Sequence, residues 1–315
     1  MDKGTTPGNN SVALIAGPTA SGKSAAALDL AKKLDKQGRK AAIINADSMQ
    51  VYSDIPVLSA APSADELKQC DHRLYGAWDG KDACSVADWA ARASAEITDC
   101  HDHDVVPILV GGTGMYLKVL IEGIAPIPAI DPEVREVVRS MDIAAAYAAL
   151  LIEDPVRAAE LEPTDSQRIA RALEVKRSTG VTMGDWHQAK TGGIGDHISL
   201  HAAVMMPPRQ WVYDRCDTRF AAMMDNGAID EVESLLSRKL APDLPVMRAI
   251  GVPEVTRLIS KEATLDDVVT AGAQSTRNYA KRQFTWLRNQ SPTDWIKCET
   301  ESVDIKKLFA LLLRI

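Results

Sequence analysis

Residues 12–38, VALIAGPTASGKSAAALDLAKKLDKQG, decide the fold. VALIA is an unbroken apolar run, and such runs mark strands buried on both faces, as in a parallel sheet. The following GPTASGKS places Gly17, Gly22, Lys23 and Ser24 in the G-x-x-x-x-G-K-[ST] spacing. A helical stretch from 23 then closes on Gly38, a helix stop. Strand, glycine-rich loop and helix form the context in which this spacing binds phosphate. The loop Gly17-Pro18-Thr19-Ala20-Ser21-Gly22-Lys23-Ser24 offers backbone N–H groups and a helix N-terminus as an anion cradle. Lys23 would reach the terminal phosphate oxygens and Ser24 would hold Mg²⁺. The alternative is a glycine-rich turn that binds nothing, and the flanking strand and helix weigh against it. The motif does not say which phosphate compound binds.

Outward from this loop the same rhythm recurs. AAIINAD at 41–47 and VVPILVGG at 105–112 are apolar runs ending in Asp or Gly, and HISLHAAVMM at 197–206 is a fourth strand candidate. Helical stretches separate them, which predicts an α/β fold: a P-loop NTPase-like parallel sheet core with an inserted all-helical domain. The insertion is the Ala-, Glu- and Arg-rich stretch without strands, opening with Asp131 as N-cap and Pro132 at the first helical position. Its boundaries are set at 126–194, with 1–125 and 195–315 as the core and helices running from about 211 to the end. In a parallel sheet the strand ends share one edge, so the loop at 17–24, the Asp47-Ser48-Met49-Gln50 segment and Gly111-Gly112-Thr113 should converge on one crevice. Asp47 there is a magnesium ligand, a general base or a turn cap. The two glycines would let a ligand approach the backbone, and Thr113 adds a hydroxyl.

With 46% hydrophobic and 25% charged residues, the 315-residue chain is of ordinary globular composition, which excludes disordered and fibrous classes. No apolar run approaches the ~20 residues of a membrane span, and the polar start MDKGTTPGNNSV lacks a signal core. Five scattered cysteines without a CxxC pair argue against disulfides and zinc, so the reducing cytoplasm is expected. Thirty-six basic against 43 acidic residues give −7, so any nucleic-acid site must be a local basic patch.

TRNYAKRQFTWLR at 276–288 supplies such a patch without an acid. Arg277, Lys281 and Arg288 fall within about 40° on a helix, with Tyr279, Trp286 and Leu287 opposite and expected to pack inward. A solvated face with an apolar back reads equally well. Gln167, Arg168 and Arg171 in DSQRIAR share a helical segment, and Arg215 and Arg219 are four apart, able to meet a diphosphate or to pair with Asp214 and Asp217. His101 and His103 in HDHD are read as a solvated loop, and Cys216, without a histidine partner, is not read as a nucleophile.

Together, GPTASGKS, DSMQVY, VGGTGMYL, DPEVR, DSQRIARALEV, RAIGVPE and KRQFTWLR resemble, in order and over nearly the whole chain, the tRNA dimethylallyltransferase (tRNA isopentenyltransferase) family. The resemblance implies transfer of a dimethylallyl group from dimethylallyl diphosphate to N6 of the adenosine 3′ of the anticodon, in tRNAs reading codons that begin with U. It implies that the loop holds diphosphate, with Mg²⁺ at Ser24, and that Lys23 and Arg219 stabilise the leaving charge. Asp47 would act as general base and Thr113 would contact substrate. The target base would be flipped from its stack. An anticodon stem-loop would be gripped by Asp47, Ser48, Met49, Gln50, Thr113, Arg135, Gln167, Arg168, Ile169, Ala170, Arg171, Arg248, Lys281, Arg282 and Arg288. The family resemblance favours a monomer. DIPVLSAAPS at 54–63 departs from the family in lacking its Gly and Lys, and AIGVP at 249–253 lacks an aromatic residue found in many members. The rivals are a P-loop kinase using ATP on a nucleoside or small molecule, and a non-catalytic RNA-binding module.

Overall fold

The computed structural model describes residues 10–313. Every residue of β1 (Ser11–Ala16) is buried, as an unbroken apolar run in a two-faced parallel sheet requires. It is followed by α1 (Lys23–Asp35), β2 (Lys40–Asn45), α2 (Ala64–Leu67), β3 (Asp71–Arg73), α3 (Val86–Asp102), β4 (Val105–Gly111) and α4 (Gly114–Glu122). After residues 121–193 come β5 (Ser199–Met205), α10 (Arg209–Asp225), α11 (Ala228–Ser237), α12 (Val252–Ile259), α13 (Leu265–Gln290), β6 (Ile296–Cys298) and α14 (Ile305–Leu308). The strand order is β3-β2-β4-β1-β5-β6 and every neighbouring pair is parallel. All four strands expected from apolar runs are present. β3 (DHR) and β6 (IKC) are added at the two edges, and β6 interrupts the helices expected to run unbroken to the end. Each edge strand has three residues and carries charge, as suits an edge but not an apolar-run signal.

On one sheet face α1 buries Ala27, Leu30 and Leu34 against Ile15, Ile43 and Ile108, closed by Ile305, Phe309 and Leu312. Gly38 lies past the end of α1, whose C-cap is Lys36. Trp89 of α3 is wholly buried, stacks on Tyr116 at 4.3 Å and donates from Nε1 to the Asn45 carbonyl at 3.0 Å. Burying such a ring is worth about 2–3 kcal/mol. Long helix α13 packs along α10 and turns Ala273, Ala280, Phe284 and Leu287 inward.

His101 is not in a loop, whereas His103 is exposed in the turn just past α3. His101 sits in the last turn of α3 with Nε2 3.2 Å from the Ser11 carbonyl, and His103 caps that helix. A helix C-terminus favours a basic side chain there. Among the described residues no three His, Cys, Asp or Glu side chains gather as a metal site, and no helix is long and apolar enough to cross a membrane.

Residues 121–193 form a second unit, so the division falls at Ile121 and Ile194 rather than at 126 and 195. It holds α5 (Pro132–Ser140), α6 (Ile143–Glu153), α7 (Pro155–Glu160), α8 (Ser166–Thr179) and α9 (Met183–Gln188). Asp131, Asp142, Asp154, Asp165 and Thr182 cap these five helices in turn, each accepting a first-turn N–H. Such caps are worth ~1 kcal/mol apiece. Val138, Leu150, Ile169 and Leu173 fill its own core.

Candidate active site

The phosphate loop is built as its spacing predicts, between a buried strand and the N-terminus of α1. Ala20 and Gly22 take positive φ values of 60° and 90° to turn the chain. Lys23 Nζ donates to the Pro18 carbonyl at 2.6 Å. Burial draws its pKa down to about 8, against the opposing pull of Asp47. Two arginines of α10 reach the loop: Arg219 donates to Thr19 Oγ1, and Arg215 Nε donates to the Ala20 carbonyl at 2.9 Å. Neither pairs with Asp214 or Asp217, which hold Gln210 and Arg277 instead. Burial lowers the Arg219 pKa, yet a guanidinium stays charged in a protein. Cys216 between them is buried, and burial pushes its thiol up, which disfavours the thiolate.

The ends of β2 and β4 are knitted beside this loop. Asp47 Oδ1 accepts from Met49 N at 3.0 Å, and Ser48 N donates to Thr113 Oγ1 at 3.0 Å. Gln50 Nε2 donates to the carbonyls of Ser59 and Ala60 at 3.0 and 2.8 Å, tying down the segment that departs from the family pattern. Gly111 and Gly112 are both required by packing, and Gly111 also lines the polar cavity beside the loop. A Cβ at Gly111 would overlap the Ala46 backbone, and one at Gly112 would overlap the Gln283 side chain and the Gly17 carbonyl.

Two cavities open at this sheet edge. One is polar, lined by Lys23, Ser24, Asp47, Gln50 and Arg215; the other has an apolar wall of Ile55, Leu58, Phe220 and Met223. Thr19, Asp47, Ser59 and Arg219 line both. A phosphate cradle thus adjoins a greasy slot, with a carboxylate and a guanidinium at the junction. Ser24 and Asp47 are among the oxygen-bearing side chains lining the polar cavity, and a cation held by them would take its remaining ligands from phosphate and water, the usual pattern for Mg²⁺.

Two further members of the expected set line these cavities. Arg248 and Arg282 line the apolar one, Arg282 lying 5.5 Å over the Tyr279 ring. Lys281 and Arg288 are exposed on α13, whereas Arg277 is neutralised by Asp217. Leu287 is fully buried as expected, but Trp286 and Tyr279 are only half-buried, and Tyr279 lines the apolar cavity. In the helical unit Arg135, Gln167, Arg168 and Arg171 are exposed. Arg168 pairs with Asp165, and Arg171 approaches buried Glu174 at 3.8 Å. Ile169 is a correction: its side chain is wholly buried in the helical core and half-buried Ala170 packs against that core, so Ile169 offers RNA no side chain.

Four side chains that shape the site were not among its expected residues. Asn45 fixes Asp47, and Gln283 bridges the loop to Gly112. Tyr279 stands beside Thr113 and Ser48, its phenol pushed up by burial and by Asp47. Glu231 holds Val57 N and Leu58 N at 2.6 and 2.9 Å. Asn45 left a trace as a polar residue closing a buried run, and Tyr279 was read only as packing inward.

Residues 50–290 match the family described as IPP transferase. A tRNA dimethylallyltransferase of Erythrobacter litoralis is 55% identical, covering 95% of this chain and 94% of the relative. One from Zymomonas mobilis is 47% identical, covering 99% of each. Among solved structures, a tRNA isopentenylpyrophosphate transferase of Bacillus halodurans is 30% identical with TM-score 0.67, covering 96% of this chain and 94% of that one. A eukaryotic dimethylallyltransferase solved acting on tRNA is 26% identical with TM-score 0.75, covering 88% and 70%. A family match over most of the chain, joined to close relatives aligned nearly end to end, means that the chain belongs to the tRNA dimethylallyltransferase (IPP transferase) family.

Proposed function

We propose that this protein transfers the dimethylallyl group of dimethylallyl diphosphate to N6 of the adenosine just 3′ of the anticodon, in tRNAs reading codons that begin with U. The observation that carries this reading is the junction of the two cavities: a phosphate cradle alone serves a kinase, but the apolar wall of Ile55, Leu58, Phe220 and Met223 suits a branched hydrocarbon. The N6–C bond forms as the C–O bond to diphosphate breaks. The diphosphate leaves as an anion toward Lys23 and Arg219, whose fixed charges stabilise it as it develops. Adenine N6 is a weak nucleophile because its lone pair is delocalised into the ring, so its proton must be taken as the bond forms. Asp47 accepts it on Oδ2, since Oδ1 is held by Met49 N. Ser24 would hold Mg²⁺, which neutralises diphosphate charge when bound. Arg248, Lys281, Arg282, Arg135, Gln167, Arg168 and Arg171 supply cations and an amide for the anticodon stem-loop.

The test offers purified protein with Mg²⁺ labelled dimethylallyl diphosphate and an anticodon stem-loop, or labelled ATP and a nucleoside panel. Label entering RNA, lost on Asp47→Ala with binding retained, is the expected result. Phosphate moving from ATP without prenyl transfer would make the chain a kinase on the same loop.

A further inference from the structure

Gln283 takes no part in the proposed chemistry, yet it is only 4% exposed and its two polar atoms are both committed. Its Oε1 accepts from Thr19 N at 2.7 Å, and its Nε2 donates to the Gly112 carbonyl at 3.0 Å. It sits on the inward side of α13 near Ala280, Phe284 and Leu287, where an apolar residue would be the cheaper occupant. A buried amide is tolerated there only because it satisfies two backbone groups that would otherwise be stranded. Gly112 is built around it, since a Cβ at that position would overlap the Gln283 amide.

The contact has a consequence for anion binding. Phosphate loops hold their ligand with backbone N–H groups, but the Thr19 N–H is spent on Gln283. That bond fixes the Thr19 residue, whose hydroxyl in turn accepts from Arg219. Arg219 and Thr19 both line the two cavities.

We propose that Gln283 is a positioning residue for the diphosphate: through Thr19 it sets the loop's shape and, through the Thr19 hydroxyl, the place of Arg219. This deepens the functional reading above and rests on the loop holding diphosphate.

The experiment measures binding of inorganic diphosphate with Mg²⁺, and of an anticodon stem-loop, to the full chain and to Gln283→Met and Gln283→Glu. The methionine variant keeps the bulk and loses both hydrogen bonds. The glutamate variant keeps the shape and the acceptor, loses the donor to Gly112 and adds a negative charge beside the loop. Both should weaken diphosphate about ten-fold or more, the worth of one hydrogen bond or so, with stem-loop affinity held within about two-fold. In turnover, KM for dimethylallyl diphosphate should rise while KM for RNA stays. Diphosphate binding unchanged in both variants, or both ligands weakened equally, would overturn the positioning role. Wild-type protein that fails to bind diphosphate at all would overturn the reading of the loop itself.

Discussion

Asn45 holds Asp47 from both sides of the residue: its Oδ1 accepts from Asp47 N at 2.8 Å and its Nδ2 donates to the Asp47 carbonyl at 3.0 Å. Asn45 is wholly buried, and Nδ2 also donates to the Leu74 carbonyl at 3.2 Å. The proposed base is thus set by a rigid side chain at the last position of β2. Asn45→Ala should cost about 1–3 kcal/mol of stability, the penalty for stranded buried polar groups. It should lower kcat by up to about a hundred-fold, because a misplaced catalytic group is that costly, while leaving KM for the diphosphate substrate nearly unchanged. Single-turnover rates beside a thermal melt check this; a melt shift without a rate loss would show that Asp47 holds its place unaided.

Lys23 predicts a pH profile. Burial has lowered its pKa to about 8 in the free protein. A bound diphosphate favours the ammonium and raises that pKa, so binding takes up a proton once the free lysine begins to lose its own. Affinity for inorganic diphosphate should be steady with respect to this group below pH 8. Above it, affinity should fall by up to about ten-fold per pH unit. Titration calorimetry across pH 7 to 9.5, in buffers of different ionisation enthalpy, reads both the affinity and the proton. Lys23→Ala should bind weakly and lose the slope; a wild-type profile flat through that range would contradict the enclosed ammonium.

How much of this was legible follows from where each signal resides. The four inner strands announce themselves because both faces are buried, so their sequences are unbroken apolar runs. β3 and β6 do not, because three-residue edge strands with charged side chains carry no such run. The helical unit was visible through Asp131 and Pro132, which cap α5 as read. Within the site, the loop at 17–24 was legible because its chemistry is written in consecutive residues. Gln283 was not, since its meaning comes from Thr19 and Gly112, far away in sequence. Likewise Gly111 and Gly112 signalled a close approach, but the sequence could not tell that Ala46 and Gln283 make one there while Gly111 also borders the polar cavity.

The segment at 54–63 departs from the family pattern and is nevertheless held at several points. Glu231 of α11 accepts from Val57 N and Leu58 N, while Asp54 pairs with Arg238 and accepts from Gly80 N at 2.7 Å. Ile55, Leu58 and Ser59 from this segment line the apolar cavity. Glu231→Ala removes both acceptors and should loosen that wall. KM for dimethylallyl diphosphate should rise roughly five-fold, about 1 kcal/mol, the net worth of a hydrogen bond. Affinity for inorganic diphosphate, which has no hydrocarbon, should hold. Equal losses for both ligands would mean that the segment serves the phosphate side.

The apolar wall also predicts selectivity by chain length. Met223 and Phe220 are 8% and 3% exposed and form the α10 side of the cavity. Methionine is flexible, and shortening it to alanine removes three heavy atoms from the wall. Each buried methylene of substrate is worth about 0.8 kcal/mol, so room for one or two more should count for roughly ten-fold. Met223→Ala should therefore raise kcat/KM for the ten-carbon geranyl diphosphate relative to dimethylallyl diphosphate by about that factor. Stability should fall by about 2–4 kcal/mol from the cavity left behind. Competition between the two diphosphates in one reaction, with the RNA product weighed by mass spectrometry, gives the ratio directly. An unchanged ratio in a folded variant would place the hydrocarbon somewhere other than against this wall.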